Sequence, residues 1–293
     1  MHFLFSHLFS FTLGLAGALA VAIVIGGLLI WWTFRLAHGR RRRRVPGRAI
    51  CDPVVLVHGL MGFDQIGRGP FRQQYFRHIP QRLERMGVTV FRPRLAAASS
   101  VAHRAAMLVE AVRALPARRV NVIAHSMGGL DARYAVSSLG LSDRVASITT
   151  IGTPHLGTPI ADLGTEVLGE KLGLRRVLSA LGIELQVFYD LTTARLAEFN
   201  EKNKDVHGVF YASVVAAIDP KVRRVPAMLI PSHMFLRDRA GPNDGLVPAS
   251  SQRWGEVLRE VVADHWAEIG WSRHFDAAEF FAELVRELGN RGL

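Results

Sequence analysis

Cysteine is almost absent: Cys51 is the only one in 293 residues. An intramolecular disulfide is therefore excluded, and stability must come from core packing. Cys51 precedes an apolar run, a setting in which a small buried side chain is expected and not a reactive thiol. Acids are missing from the first 48 residues, which hold seven arginines (Arg35, Arg40 to Arg44 and Arg48). Of the formal net charge of +11, only +4 is left for the other 245 residues. A chain that binds nucleic acid through a basic folded surface is thereby disfavoured, because the excess sits in one short run. No internal repeat and no low-complexity stretch stands out beyond the arginines.

Charge of either sign is absent from Leu8 to Phe34, and Phe11 to Ile30 is almost wholly apolar. As a helix rising ~1.5 Å per residue, this stretch exceeds the ~30 Å hydrocarbon core of a bilayer. Trp31 and Trp32 follow at the depth that suits an amphipathic indole, and the arginines come next. A single-pass membrane anchor over 1–34 and a basic juxtamembrane linker over 35–52 are expected, with Arg40 to Arg44 drawn to anionic headgroups. A cleaved signal peptide, suggested by Ala18 and Ala20, lacks the basic amino-terminal flank and needs a shorter run. The arginine bias leads to the expectation that the remainder, 53–293, lies in the cytoplasm, with a periplasmic or extracellular location as the alternative.

Beyond the linker, short β-branched runs recur: Val54 to Val57, Val88 to Phe91, Val120 to Ala124, Ala146 to Ile151 and Val209 to Ala217. Helical patterns separate them, Ala102 to Leu115 among these, with Ser99 and Ser100 placed to cap it. The alternation predicts an α/β fold with a mostly parallel central sheet and helices on both faces. Residues 159–199 differ, with Leu163, Val167, Leu168, Leu174, Val177, Leu178 and Leu181 at helical spacings. They fit ordinary packing helices or a helical cap over an apolar pocket equally well.

The segment Val120 to Gly129 (VNVIAHSMGG) runs a buried strand into a tight turn and a helix. At such a corner a nucleophilic serine needs small residues two positions either side, and Ala124 and Gly128 flank Ser126. The Met127 N–H then lies at a helix start, where it can meet an oxyanion. Val54 to Leu60 (VVLVHGL) supplies the other half: Gly59 lets the loop bend so that the Leu60 N–H points inward, with His58 orienting backbone in support. Asp244, in the turn NDGLV, and His265 follow in the order Ser, Asp, His that this fold uses. His265 is expected to shuttle the proton and Asp244 to hold the imidazole tautomer. His274 competes for the role of base and Asp219, less well, for that of acid; His233 precedes the acid and has the wrong order. Asp264 is placed to cap the turn that carries His265.

Together these segments resemble the bacterial true lipases of the Pseudomonas and Burkholderia type, over roughly Pro53 to Gly270. PVVLVHGLMG (53–62), VNVIAHSMGGLDARY (120–134), SITTIGTPHLG (147–157), LTTARLAEFN (191–200), NDGLV (243–247) and Asp264-His265 carry the likeness. The resemblance implies an α/β-hydrolase fold, a Ser126, Asp244, His265 triad, and the Leu60 and Met127 amides as oxyanion hole, with His58, Gly59, His125 and Gly128 in support. It also implies a structural calcium and a disulfide, from both of which this chain departs. Ala267 and Trp271 stand where oxygen ligands would be, so no metal is expected, and Cys51 has no partner. No cofactor and no nucleic-acid partner are expected. The expected partners are a lipid or other hydrophobic ester substrate and, through the anchor, a membrane. The expected function is a membrane-anchored carboxylic ester hydrolase. An acyltransferase using the same acyl-enzyme, or a non-catalytic membrane protein on this scaffold, are the alternatives.

Overall fold

The computed structural model describes residues 50, 52–60, 65–66, 73–170, 186–218, 225–272 and 274–293. Strands β1 (Val54–Val57), β4 (Val90–Phe91), β5 (Val120–His125), β6 (Val145–Ile151), β7 (Phe210–Ala217) and β8 (Glu256–Val262) form a six-stranded sheet in the order β4-β1-β5-β6-β7-β8. Every neighbouring pair is parallel. A separate ribbon joins β2 (Gln65–Ile66) to β3 (Gln73–Gln74). The helices are α1 (Ile79–Glu84), α2 (Val101–Arg113), α3 (Gly128–Ser137), α4 (Pro159–Glu170), α5 (Gln186–Asp190), α6 (Thr193–Lys202), α7 (Ile230–Ala240) and α8 (Ala277–Asn290).

The strands are apolar throughout because both faces of a parallel sheet are covered. Successive residues of β1 point to opposite faces. Val54 and Leu56 join Ile79, Leu83, Phe281, Leu284, Val285 and Leu288 on the side of α1 and α8. Val55 and Val57 join Leu108, Val112, Val122, Ala132, Ala135 and Val136 on the side of α2 and α3. In α8 the buried residues Phe281, Leu284, Val285 and Leu288 recur at three and four, one stripe of a helix, and Asp276 caps it by accepting the Glu279 N–H at 3.1 Å. The helix predicted over Ala102 to Leu115 is α2, and Ser100 is its cap, accepting from the His103 N–H.

Strand β8 was not among the predicted runs. Its sequence EVLREVV mixes charged with apolar residues, because among the described strands it is an edge with only β7 beside it. Of the predicted cap, α4, α5 and most of α6 are helical, and residues 171–185 lie outside the described residues. Met127 and Leu130 pack with Ala161, Val187, Leu191 and Leu196, so these helices lie over the start of α3. Among the described residues no helix is long and apolar enough to cross a membrane. The span predicted at 1–34, nearly all of the 35–52 linker, and Cys51 lie outside the described residues.

Strand β1 has β4 on one side and β5 on the other, so the chain leaves it outward to β4 and returns across it to β5. Loops at the carboxyl ends of β1 and β5 therefore diverge, and a crevice opens between them. His58 to Leu60 follow β1 and Ser126 follows β5, both at that crevice.

Candidate active site

Ser126 sits between β5 and α3 with φ of 56°, a left-handed conformation that costs a β-carbon residue strain. Its surroundings hold it there. The Ser126 N–H donates to Ile151 O at 2.9 Å, and the Thr153 hydroxyl donates to Ser126 O at 2.7 Å. A β-carbon on Gly128 would lie 2.8 Å from both Val57 O and His58 O. The first turn of α3 thus presses on the end of β1, and only glycine allows that approach.

His265 Nε2 lies 3.0 Å from Ser126 Oγ, and its Nδ1 lies 2.9 Å from Asp244 Oδ2. A carboxylate only accepts, so the proton is on Nδ1, and Nε2 is left to accept from the serine hydroxyl. Asp244 is completely buried, with Leu246 and Val247 N–H groups on Oδ1 at 2.8 and 2.7 Å and the Gln252 amide on Oδ2 at 3.2 Å. These donors replace the water a buried carboxylate has lost. The His265 N–H also donates to Asp244 O at 2.9 Å, so the two loops are joined through backbone as well. The three side chains singled out from the sequence are brought into one line.

The rival residues go elsewhere. His274 lies 3.2 Å from Asp264, and His233 Nδ1 lies 2.8 Å from Asn243 Oδ1. Asp219 lies outside the described residues. Asp264 caps its turn through the Trp266 and Ala267 N–H groups, both at 2.9 Å. Trp271, one of the positions read against calcium, donates its indole N–H to Tyr75 O at 2.9 Å.

On the β1 side, Leu95 N–H donates to His58 Nε2 at 3.3 Å, so the proton of His58 is on Nδ1, 2.9 Å from Gly59 O. That contact holds the carbonyl of the Gly59–Leu60 peptide. Because the peptide is planar and trans, the Leu60 N–H points the opposite way. The preceding peptide is held at both ends: Arg104 donates to His58 O at 2.6 Å, and the Gly59 N–H donates to the Tyr75 hydroxyl at 3.0 Å. A β-carbon on Gly59 would meet Ser126 Cβ at 2.6 Å. Among the described residues neither Leu60 nor Met127 gives its N–H to a backbone carbonyl. These are the two N–H groups singled out in the sequence.

Arg104 is itself fully buried, with Asp131 of α3 at 2.8 Å and Ala96 O as further acceptors. Burial pushes the Asp131 carboxyl up to about 7, against the pull of the Arg104 guanidinium. Neither residue was singled out in the sequence, and neither was Tyr75 or Glu268. His125, Glu268 and His265 bring ligand-type atoms within 4.8 Å of one another. His265 Nδ1 is engaged by Asp244 and His125 Nε2 by Glu268, so the cluster is already knit by hydrogen bonds.

Above Ser126 lies a cavity of about 760 Å³. Ile160, Ala161, Phe188, Leu191, Leu246 and Val247 line it, all apolar, while Ser126 and His265 supply polar groups at its floor. An apolar chain fits this lining, with polar chemistry confined to one end.

A strained serine between a parallel strand and a helix, facing a histidine and an acid from later loops, defines an α/β hydrolase. The model of the alpha/beta hydrolase fold family matches residues 52–166. The triacylglycerol lipase of Vibrio cholerae is 32% identical over 71% of this chain and 76% of its own. The triacylglycerol lipase of Pseudomonas fragi is 29% identical over 82% and 97%. A metagenomic carboxyl esterase of solved structure shares the fold with a TM-score of 0.71 at 22% identity, over 87% of this chain and 81% of its own. The chain belongs to the bacterial triacylglycerol lipase family, the family its motifs resemble. It is a carboxylic ester hydrolase.

Proposed function

We propose that this enzyme hydrolyses hydrophobic acyl esters at a membrane surface through Ser126, His265 and Asp244. The observation that carries the reading is the unbroken line from Asp244 Oδ2 through both ring nitrogens of His265 to Ser126 Oγ, at the floor of an apolar cavity. Ser126 Oγ bonds to the ester carbonyl carbon as its proton passes to His265 Nε2, and the carbonyl oxygen becomes an oxyanion facing the Leu60 and Met127 N–H groups. The C–O bond to the alcohol then breaks, and the alkoxide leaves with the proton from Nε2. Water, deprotonated by the same nitrogen, releases the acid and restores the serine.

An acyl chain lies along Ile160, Phe188 and Leu191, and the cavity volume accommodates one of medium to long length. Membrane contact is supported by the apolar run and arginines of the first 48 residues. Exposed apolar side chains support it too: Leu163 on α4, Met228 before α7, Ile230 and Met234 on α7, and Trp271. Large apolar side chains left exposed favour a lipid surface over water.

A fluorophosphonate probe is expected to modify one residue, located by peptide mass mapping at Ser126. Chain-length profiles with p-nitrophenyl esters are expected to favour acyl chains of eight carbons or so over acetate. Labelling at another serine, or a preference for acetate, overturns the assignment of nucleophile or of substrate class respectively.

A further inference from the structure

Glu268 is a buried acid beside the line just described, and the hydrolytic steps make no use of it. It lies in a short turn after β8, 1% exposed, with its Oε2 at 3.0 Å from His125 Nε2 and 4.0 Å from His265 Nδ1. Burial, and then the adjoining Asp244 and Asp264 carboxylates, push its carboxyl well above the ordinary range, so it holds its proton. Its other oxygen, Oε1, is buried with no hydrogen-bond partner among the described residues, whereas Asp244 already accepts from four donors, and an ionised carboxyl with an unpartnered buried oxygen is the costlier of the two. Burial also pushes His125 down, which keeps that imidazole neutral.

From His125 the contacts continue. Its Nδ1 is 2.7 Å from the Tyr75 hydroxyl, and that hydroxyl accepts the Gly59 N–H at 3.0 Å. Burial raises the Tyr75 hydroxyl far above neutrality, so it too keeps its proton. Glu268 Oε2 accepts from His125 Nε2–H. Nδ1 then accepts from Tyr75 O–H, and Tyr75 accepts from Gly59. Each donor meets one acceptor. The chain passes beside Ser126 and ties the turn that follows His265 to the loop that presents Leu60.

We infer that Tyr75, His125 and Glu268 are positioning residues which, as one hydrogen-bonded chain, aim the oxyanion-binding loop from the side of the catalytic acid. The inference rests on the reading of Ser126, His265 and the Leu60 amide given above. Tyr75 holds the His58–Gly59 peptide; His125, fixed as the Nε2–H tautomer by Glu268, turns the Tyr75 hydroxyl so that its lone pair faces Gly59. An interaction of this kind acts on the oxyanion and not on the ground-state ester, so its loss falls on kcat. The titratable groups around Glu268 are His125 from β5, Asp244 from the loop after α7, and Asp264 and His265 from the loop after β8; Arg104 acts on Tyr75.

The test uses the full chain, with kcat and KM measured on a p-nitrophenyl ester and folding followed by circular dichroism. Tyr75→Phe is expected to lower kcat about 10- to 100-fold with KM within about twofold. Glu268→Leu is expected to lower it about tenfold, and the double variant to match Tyr75→Phe alone, because both break one chain. Glu268→Gln is neutral, has the same shape and offers an oxygen to His125, as the protonated acid does. It is expected to stay within about threefold of the parent and to leave the acid limb of kcat/KM in place. Multiplied losses in the double variant, or a raised KM with unchanged kcat for Tyr75→Phe, overturn the inference. So does an acid limb moved by about a unit or more in Glu268→Gln, which means that an ionised carboxylate beside His265 was lost. If Glu268→Leu does not fold, the last two measurements decide. Ser126→Ala is assayed alongside: if it is active, the nucleophile assignment fails and this inference with it. If it is inactive while the other variants give an overturning result, only the positioning chain is wrong.

Discussion

Ser126→Ala and His265→Gln each lower kcat for ester hydrolysis by about 10⁴- to 10⁶-fold, and the double variant is no slower than the worse of the two. The reason is that the pair acts as one device. Without the hydroxyl there is no atom for Nε2 to activate at 3.0 Å, and without the imidazole the hydroxyl is an ordinary alcohol of very high pKa. What remains is binding in the cavity and polarisation by the two N–H groups, which still exceeds the reaction in water. Both variants should keep the melting temperature of the parent within a few degrees, since Ser126 Oγ makes its contact to His265 alone among the described side chains and the backbone bonds to Ile151 and Thr153 are kept. Steady-state assays on purified protein check this; a loss below tenfold for either single variant rules out the assigned pair.

Arg104→Met is expected to destabilise the enzyme by about 3–5 kcal/mol, seen as a melting temperature lower by roughly 6–20 °C. The guanidinium and the Asp131 carboxyl are both fully buried and 2.8 Å apart, so removing Arg104 strips Asp131 of its partner and pushes its carboxyl further up, at the cost of a buried acid with no water to turn to. The variant also frees His58 O and Ala96 O of a donor, which loosens the loop bearing Leu60. Arg104→Met combined with Asp131→Leu should recover much of the loss, because a buried pair exchanged whole for apolar groups is close to neutral. Thermal unfolding of the three proteins decides; a single variant as stable as the parent would mean that Asp131 is already neutral there.

Much of this architecture was legible in the residues, for identifiable reasons. Strands β1, β5, β6 and β7 are buried on both faces, so they stand out as apolar runs bounded by polar turns. Ser126 was legible because a sharp corner demands small neighbours at 124 and 128, and the contacts of Gly128 show the same demand in space. Strand β8 escaped because Glu256, Arg259 and Glu260 break its apolar run, as an edge strand allows. Glu268 and Tyr75 escaped for another reason. Their partners lie 143 and 50 residues away from or toward His125, and nothing local in an AEI or QYF segment marks a buried polar contact. Arg104 and Asp131 look like surface residues of amphipathic helices, and only packing of α2 on α3 turns them inward.

The location of β8 has a consequence for heat tolerance. His265 lies three residues beyond the end of a margin strand that, among the described strands, is paired on one side only, whereas Ser126 is rooted in the middle of the sheet. Margins fray at lower free energy than interiors. On warming, the imidazole should drift from its hydroxyl while the central strands are still intact, so that turnover stops several degrees before the protein melts.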